Sequence, residues 1–125
     1  MAQVQRRMVL CNMNLHDIYY HTPGLGYAMT PSVQIPNGST KITVQFKYYG
    51  INDPVTCTLY QSLDGINFDE CESIDEMSVG IILDIASASA TLNISELLTT
   101  WIRFKVTAGN CSAGVLDKFL CLFAA

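Results

Sequence analysis

The sequence predicts an all-β fold: an antiparallel two-sheet β-sandwich of jelly-roll or immunoglobulin-like type, with about eight strands and a partly closed barrel as the alternative. Three observations carry that prediction. Short stretches alternate apolar and polar residues with the period of two that a half-buried strand requires. Clusters of Gly, Pro, Asn, Asp and Ser separate those stretches. No stretch sustains a long 3.6-residue helical period.

Residues 1–31 read as an N-terminal arm or loop, and residues 32–125 as the sandwich domain. Met8 to Tyr20 mixes apolar and polar residues without a clean period, and the Pro and Gly of Thr22 to Pro31 punctuate a loop. Such a segment could order only on binding. A short strand over Ser32 to Ile35 precedes the turn Pro36-Asn37-Gly38-Ser39. Thr40 to Tyr49 is the clearest strand, with Ile42, Val44, Phe46 and Tyr48 on one face. After a turn over Gly50 to Pro54, Val55, Cys57 and Leu59 alternate with Thr56, Thr58 and Tyr60.

Asp64-Gly65 is a strong hairpin signal, with Asn67 just beyond it and the return strand expected from Ile66 to Phe68. Asp69 to Glu76 holds five of the eleven acidic residues and reads as a solvated loop. Val79 to Ala86 is apolar except for Gly80 and Asp84, which suits a strand buried on both faces. Ala90, Leu92 and Ile94 form an alternating strand, and Glu96 to Thr99 fits one helical turn capped by Ser95. Ile102, Phe104 and Val106 face inward, and Ala108 to Gly114 turns the chain. Val115 to Phe123 begins as an alternating strand and ends apolar on both faces.

Composition narrows the function. Only 14% of residues are charged while half are hydrophobic, a shortage of surface charge that suits either a protein whose faces are covered by partners or a sandwich that covers itself with Ser, Thr and Asn. A net charge of −4 with seven cations argues against nucleic acid as a partner. No apolar run approaches the roughly 18 to 20 residues of a membrane span, so no membrane partner is expected. The start has two arginines but only a short apolar stretch interrupted by Asn12, below the roughly 7 to 15 residues of a signal peptide's core. Synthesis in the cytosol is the expectation. The five cysteines have no CxxC spacing and read as buried free thiols.

Candidate chemistry is sparse. His16, Asp17 and His21 are the only residues resembling a metal or acid–base cluster, but their spacing fits neither a helix face nor strand alternation, so they read as polar residues at a loop start. Asp64, Asn67, Asp69 and Glu72 could offer oxygens to calcium, although Asp64-Gly65 is already explained by its turn. No metal, cofactor or catalytic set is assigned, and an enzyme is not expected. The candidate binding residues are Trp101, Arg103 and Lys105, extended by Tyr49, Tyr60 and Lys47 from other strands; the alternative is that Trp101 is a core residue at the strand's start and Arg103 and Lys105 are ordinary solvated charges. Aromatics set between cations can stack sugars or dock a protein. A carbohydrate-binding module using Trp101, Tyr49 and Tyr60 is therefore an alternative function.

The hairpin Ser62-Leu63-Asp64-Gly65-Ile66-Asn67-Phe68 is followed by Trp101-Ile102-Arg103-Phe104-Lys105-Val106-Thr107 and then by Ser112-Ala113-Gly114-Val115. This pattern resembles one found in small β-sandwich virion proteins of tailed bacteriophages: capsid auxiliary proteins, head-fibre bases or tail-associated domains, including those of crAss-like phages. The resemblance spans roughly Thr40 to Phe123. It implies a structural virion protein that decorates or stabilises the capsid, with a tail or baseplate adaptor as a variant. It further implies many copies per particle bound to the major capsid protein or other virion proteins. The location would be the virion, assembled in the host bacterial cytoplasm, and no catalytic residues are carried over.

Overall fold

The computed structural model describes residues 5–21, 26–71, 79–94 and 99–124. Their elements are β1 (Gln5–Asn14), α1 (Leu15–His21), β2 (Tyr27–Met29), β3 (Val33–Gln34), β4 (Lys41–Tyr49), β5 (Val55–Ser62), β6 (Asp69–Glu70), β7 (Gly80–Leu83), β8 (Ser89–Ile94), β9 (Trp101–Thr107) and β10 (Val115–Ala124). They form two antiparallel sheets. The first has the order β1-β10-β4-β8. The second has the order β2-β9-β5-β6, with β3 also on β9 and β7 also on β5.

The pairings nest. β1 pairs with β10, β2 and β3 with β9, β4 with β8, and β5 with β6 and β7. The first half of the chain thus pairs with the second half in reverse order, like one long hairpin rolled into a sandwich. That connectivity selects the jelly roll from the two sandwich types compatible with the sequence. Eight strand positions are present, and two edge positions are each divided between two short strands.

Local chemistry explains both divisions. Between β2 and β3 stands Pro31, which has no N–H to give the ladder. The buried Thr30 bridges the gap: its N–H donates to the Phe104 carbonyl at 2.9 Å, and its Oγ1 accepts from the Phe104 N–H at 2.9 Å. On the opposite edge Cys71 and Val79 hold β6 and β7 to the same strand, β5. The Cys71 N–H donates to the Leu59 carbonyl, the Leu59 N–H to Val79, and the Val79 N–H to Cys71, at 2.8 to 2.9 Å. Gly80 then allows β7 to lie against β5, since a β-carbon there would stand 2.5 Å from the Cys57 carbonyl oxygen.

The core lies between the sheets and follows the alternation in the sequence. Ile42, Val44, Phe46 and Tyr48 of β4 are buried, as are Val55, Cys57 and Leu59 of β5 and Ile102, Phe104 and Val106 of β9. Phe46 and Phe119, paired across β4 and β10, meet Phe104 from the other sheet in three edge-to-face contacts with centroids 4.4 to 5.8 Å apart. Burial of each ring contributes about 1.5–3 kcal/mol, and edge-to-face geometry adds about 0.5–1.5 kcal/mol per pair. This cluster joins the two layers. Cys57, Cys111 and Cys121 are buried free thiols, and Cys71 is buried as well. Burial pushes the Cys57 thiol far above its ordinary range and Cys121 up to about 12.

Three expectations are corrected. The segment expected to be an arm contributes β1, which runs along β10 from Gln5 to Asn14, and α1. The ten-residue β10 would otherwise leave an open row of backbone donors and acceptors. A register shift between Met8 and Leu10 breaks the alternation, which is why no clean period was visible. Second, β7 is an edge strand and is not buried on both faces: Leu83 is buried, but Ile82 is 65% exposed and Ile85, just beyond it, 51%. Third, the chain does not return at Ile66, because residues 63–68 form a longer loop and β6 begins at Asp69. The expected helical turn after Ser95 falls on residues 95–98, outside the described residues, as does most of the acidic loop beyond Cys71.

Candidate functional site

The outer face of the second sheet holds most of the residues singled out from the sequence. Because Ile102, Phe104 and Val106 point into the core, Trp101, Arg103 and Lys105 point away from it. Register places Trp101 opposite Ser62, Arg103 opposite Tyr60, and Lys105 opposite Thr58. Tyr60 therefore belongs to this face. Tyr49 does not: it ends β4 in the other sheet, opposite Val115, and is 59% exposed. The three-ring platform of Trp101, Tyr60 and Tyr49 is thus divided between opposite faces of the sandwich.

Both cations on this face rest on aromatic rings. The Arg103 guanidinium carbon lies 4.1 Å from the centroid of Phe68, and Lys105 Nζ lies 4.2 Å from that of Tyr27. Each contact is worth about 0.5–1 kcal/mol at an exposed site. Arg103 Nε is buried and has no hydrogen-bond partner among the described residues. Stacking thus holds both side chains along the sheet. The sequence pattern did not reveal Phe68 and Tyr27 as their partners, since neither is near its cation along the chain.

At the end of β5 the chain makes a tightly bonded loop. Asp64 Oδ1 accepts from the N–H groups of Ile66 and Asn67 and from the Ser62 hydroxyl, each at 2.8 Å, and Oδ2 accepts from Asn67 Nδ2 at 2.8 Å. Ser62 Oγ in turn accepts from the N–H groups of Gly65 and Asp64 at 2.9 and 3.2 Å. The Asn67 and Ile66 amides, followed by the Ser62 and Asn67 side chains, hold the Asp64 carboxyl well below the usual carboxylate range. Gly65, at φ +77°, lies flat on the Trp101 indole. Asp64, Gly65 and Asn67 are therefore turn residues in three dimensions, and the carboxylate considered for calcium is already surrounded by donors.

This rigid loop presents Leu63 and Ile66 to solvent at 76% and 80% exposure. Their sequence signal was weak, because apolar residues inside a turn motif look like the start of the return strand. Beside them a cleft of about 380 Å3 is lined by Gln61, Ser62, Asp64, Asn67, Asp69 and Thr99.

The remaining candidates lie elsewhere. His16 and Asp17 are exposed on α1, with His16 Nδ1 3.8 Å from Asp17 Oδ1. They sit on a helix, not at the start of a loop, because Asn14 caps it: Asn14 Oδ1 accepts from the His16 N–H at 2.9 Å. His21 ends that helix, and its side chain is outside the described residues. Among the described residues no group of three or more His, Cys, Asp or Glu is placed to hold a metal ion. No described helix is long and apolar enough to cross a membrane.

No protein-family model matches the sequence, and no curated protein is similar to it in sequence. Solved structures are similar to the chain, and the first of these shares its fold. The SPBc2 prophage-derived protein YomS superimposes with a TM-score of 0.56 at 7% identity, over 100% of this chain and 96% of that one. The structure of infectious bursal disease virus Gt strain gives a TM-score of 0.40 at 12% identity, over 98% of this chain and 32% of the longer one.

Proposed function

We propose that this chain is a structural protein of a phage virion, present in many copies, that binds the capsid and decorates or stabilises it. The observation that carries this reading is the end-to-end correspondence of the whole jelly roll with a prophage-derived protein of nearly the same length. Jelly rolls recur in viral shells, where the sandwich is a rigid body presenting loops and edges to its neighbours. The exposed apolar side chains suit that use. Leu63 and Ile66 project from a loop that Asp64 and Trp101 hold in place, and Ile82 and Ile85 project from the β7 edge.

The mechanism is burial of contact surface. Each of these side chains would contribute about 1.5–3 kcal/mol when fully covered by a partner. The loop is ordered before contact, so little conformational entropy is lost on binding. A copy bridging adjacent capsid subunits would oppose their separation.

The experiment is reconstitution. Purified protein is mixed at micromolar concentration with capsids lacking it, and the capsids are sedimented and then heated. Cosedimentation with a raised disassembly temperature is expected, and a Leu63→Ser/Ile66→Ser double variant should bind less. Wild-type protein that stays in the supernatant would overturn the reading.

A further inference from the structure

Charge is distributed very unevenly between the two sheets. The four strands of the first sheet carry Arg6, Arg7, Lys41, Lys47 and Lys118 against a single carboxylate, Asp117. Five positive charges and one negative give that sheet +4. The whole chain is −4, so everything outside these strands sums to −8.

The outer face of the first sheet gathers three of these cations, all lysines, around an apolar floor. Lys41 and Lys47 alternate with the buried Ile42, Val44 and Phe46, which places them on the outer side of β4. Lys118 stands directly opposite Lys47 in the register, next to the buried Phe119. Like charges facing each other across strands are destabilising, and among the described residues neither lysine makes an ion pair. Between them and Lys41 runs a groove of about 250 Å3, floored by Leu120 and Leu122 and walled by Thr43 and Gln45. β8 adds no charge, since its outward residues are Ser89, Thr91 and Asn93.

We propose that the outer face of this sheet is a docking surface for an acidic protein surface, and, resting on the virion reading, that it meets one capsid neighbour while the Leu63 and Ile66 loop of the other sheet meets another. Charge complementarity selects the partner: Lys41, Lys47 and Lys118 stand on this face against one carboxylate, Asp117, an excess of positive charge that attracts carboxylates. The half-buried leucines select protein over nucleic acid, because they offer a side-chain partner something to cover and a phosphate backbone nothing. Size agrees. Ten residues at roughly 3.3 Å by four strands at roughly 4.8 Å make about 600 Å2, close to the roughly 800 Å2 that each partner contributes to a standard interface.

The test compares wild type with K47E and K118E, using S32D/N52D, two exposed positions outside both sheet faces, as a control with the same change in net charge. Two probes are used. Cosedimentation with undecorated capsids should weaken at least tenfold for K47E and K118E and stay within twofold for S32D/N52D. Amide shifts on titration with a 20-residue poly-glutamate peptide should map to residues 41–49 and 115–124. Equal capsid binding by K47E, K118E and wild type would overturn the docking face while leaving the virion reading intact. If wild type ignores capsids, the virion reading fails and the peptide titration alone decides the face: shifts centred on Arg103 and Lys105, or none, reject it. Tighter binding of duplex DNA than of poly-glutamate at equal charge would reject a protein partner. Concentration-dependent self-association abolished by K47E would replace that partner with a second copy.

Discussion

Gly65 lies on the face of Trp101 so closely that a β-carbon at that position would stand 2.9 Å from the indole Cε2. The contact joins two distant parts of the chain, the loop after β5 and the first residue of β9, and it sets the height at which Leu63 and Ile66 are presented. Gly65 also has φ +77°, where a side chain costs about 1–2 kcal/mol. Gly65→Ala is therefore expected to destabilise the protein by about 2 kcal/mol or more and to shift Trp101 emission to the red as the loop lifts. Chemical denaturation with Trp fluorescence, which has a single reporter in this chain, reads both. An unchanged midpoint and spectrum would mean that the loop does not rest on the ring.

Asp64 makes the same loop sensitive to acid. Its folded-state pKa is depressed, so its contribution is complete above the ordinary carboxylate range and is lost as pH falls through the unfolded and then the folded value. Wild type and Asp64→Ala should thus differ most in melting temperature near pH 6. The gap should begin to close near pH 4, where a free aspartate takes up its proton. Thermal melts between pH 7 and pH 2 give the curve. A gap that widens toward acid would contradict the hydrogen-bonded loop.

Phe119 couples the two sheets. It touches Phe46 beside it in the register and Phe104 from the opposite layer, and all three rings are fully buried. Phe119→Ala should cost about 3–5 kcal/mol, the usual range for a core Phe truncated to Ala. Exposed Tyr49→Ala should stay within about 0.5 kcal/mol. Urea unfolding of the two variants checks the pair. A loss under about 1 kcal/mol for Phe119→Ala would show that the core closes around the cavity or that the cluster does not bridge the layers.

These residues also show where the sequence was legible. β4 and β9 were readable because strict alternation from Ile42 to Tyr48 and from Trp101 to Thr107 leaves only one way to bury the apolar set. β1 was not, since the irregularity between Met8 and Leu10 shifts its phase, and a similar one between Leu116 and Lys118 blurred β10. The apolar run around Ile81 and Ile82 looked buried because periodicity cannot reveal that a strand lies at an edge. The candidate residues were legible individually but not in combination. Register joins Tyr60 to Arg103 and sends Tyr49 to the far side, and register depends on pairings between segments more than forty residues apart.

Lys118 provides the prediction that separates stability from use. Its like-charge pairing with Lys47 serves no purpose in the isolated fold, so Lys118→Glu, which makes the pair attractive, should stabilise the protein by about 0.2–1 kcal/mol. For a chain of this length that is an increase in melting temperature of up to about 5 °C. The gain should shrink with added salt, because the pair is on the outer face and screening at 1 M acts over roughly 3 Å. If the first sheet docks on an acidic surface, the same substitution must weaken docking. A variant that melts higher and binds worse is the signature of a residue kept for a partner. Lower stability for K118E at low salt would mean that Lys118 is held by contacts other than the one it makes across from Lys47.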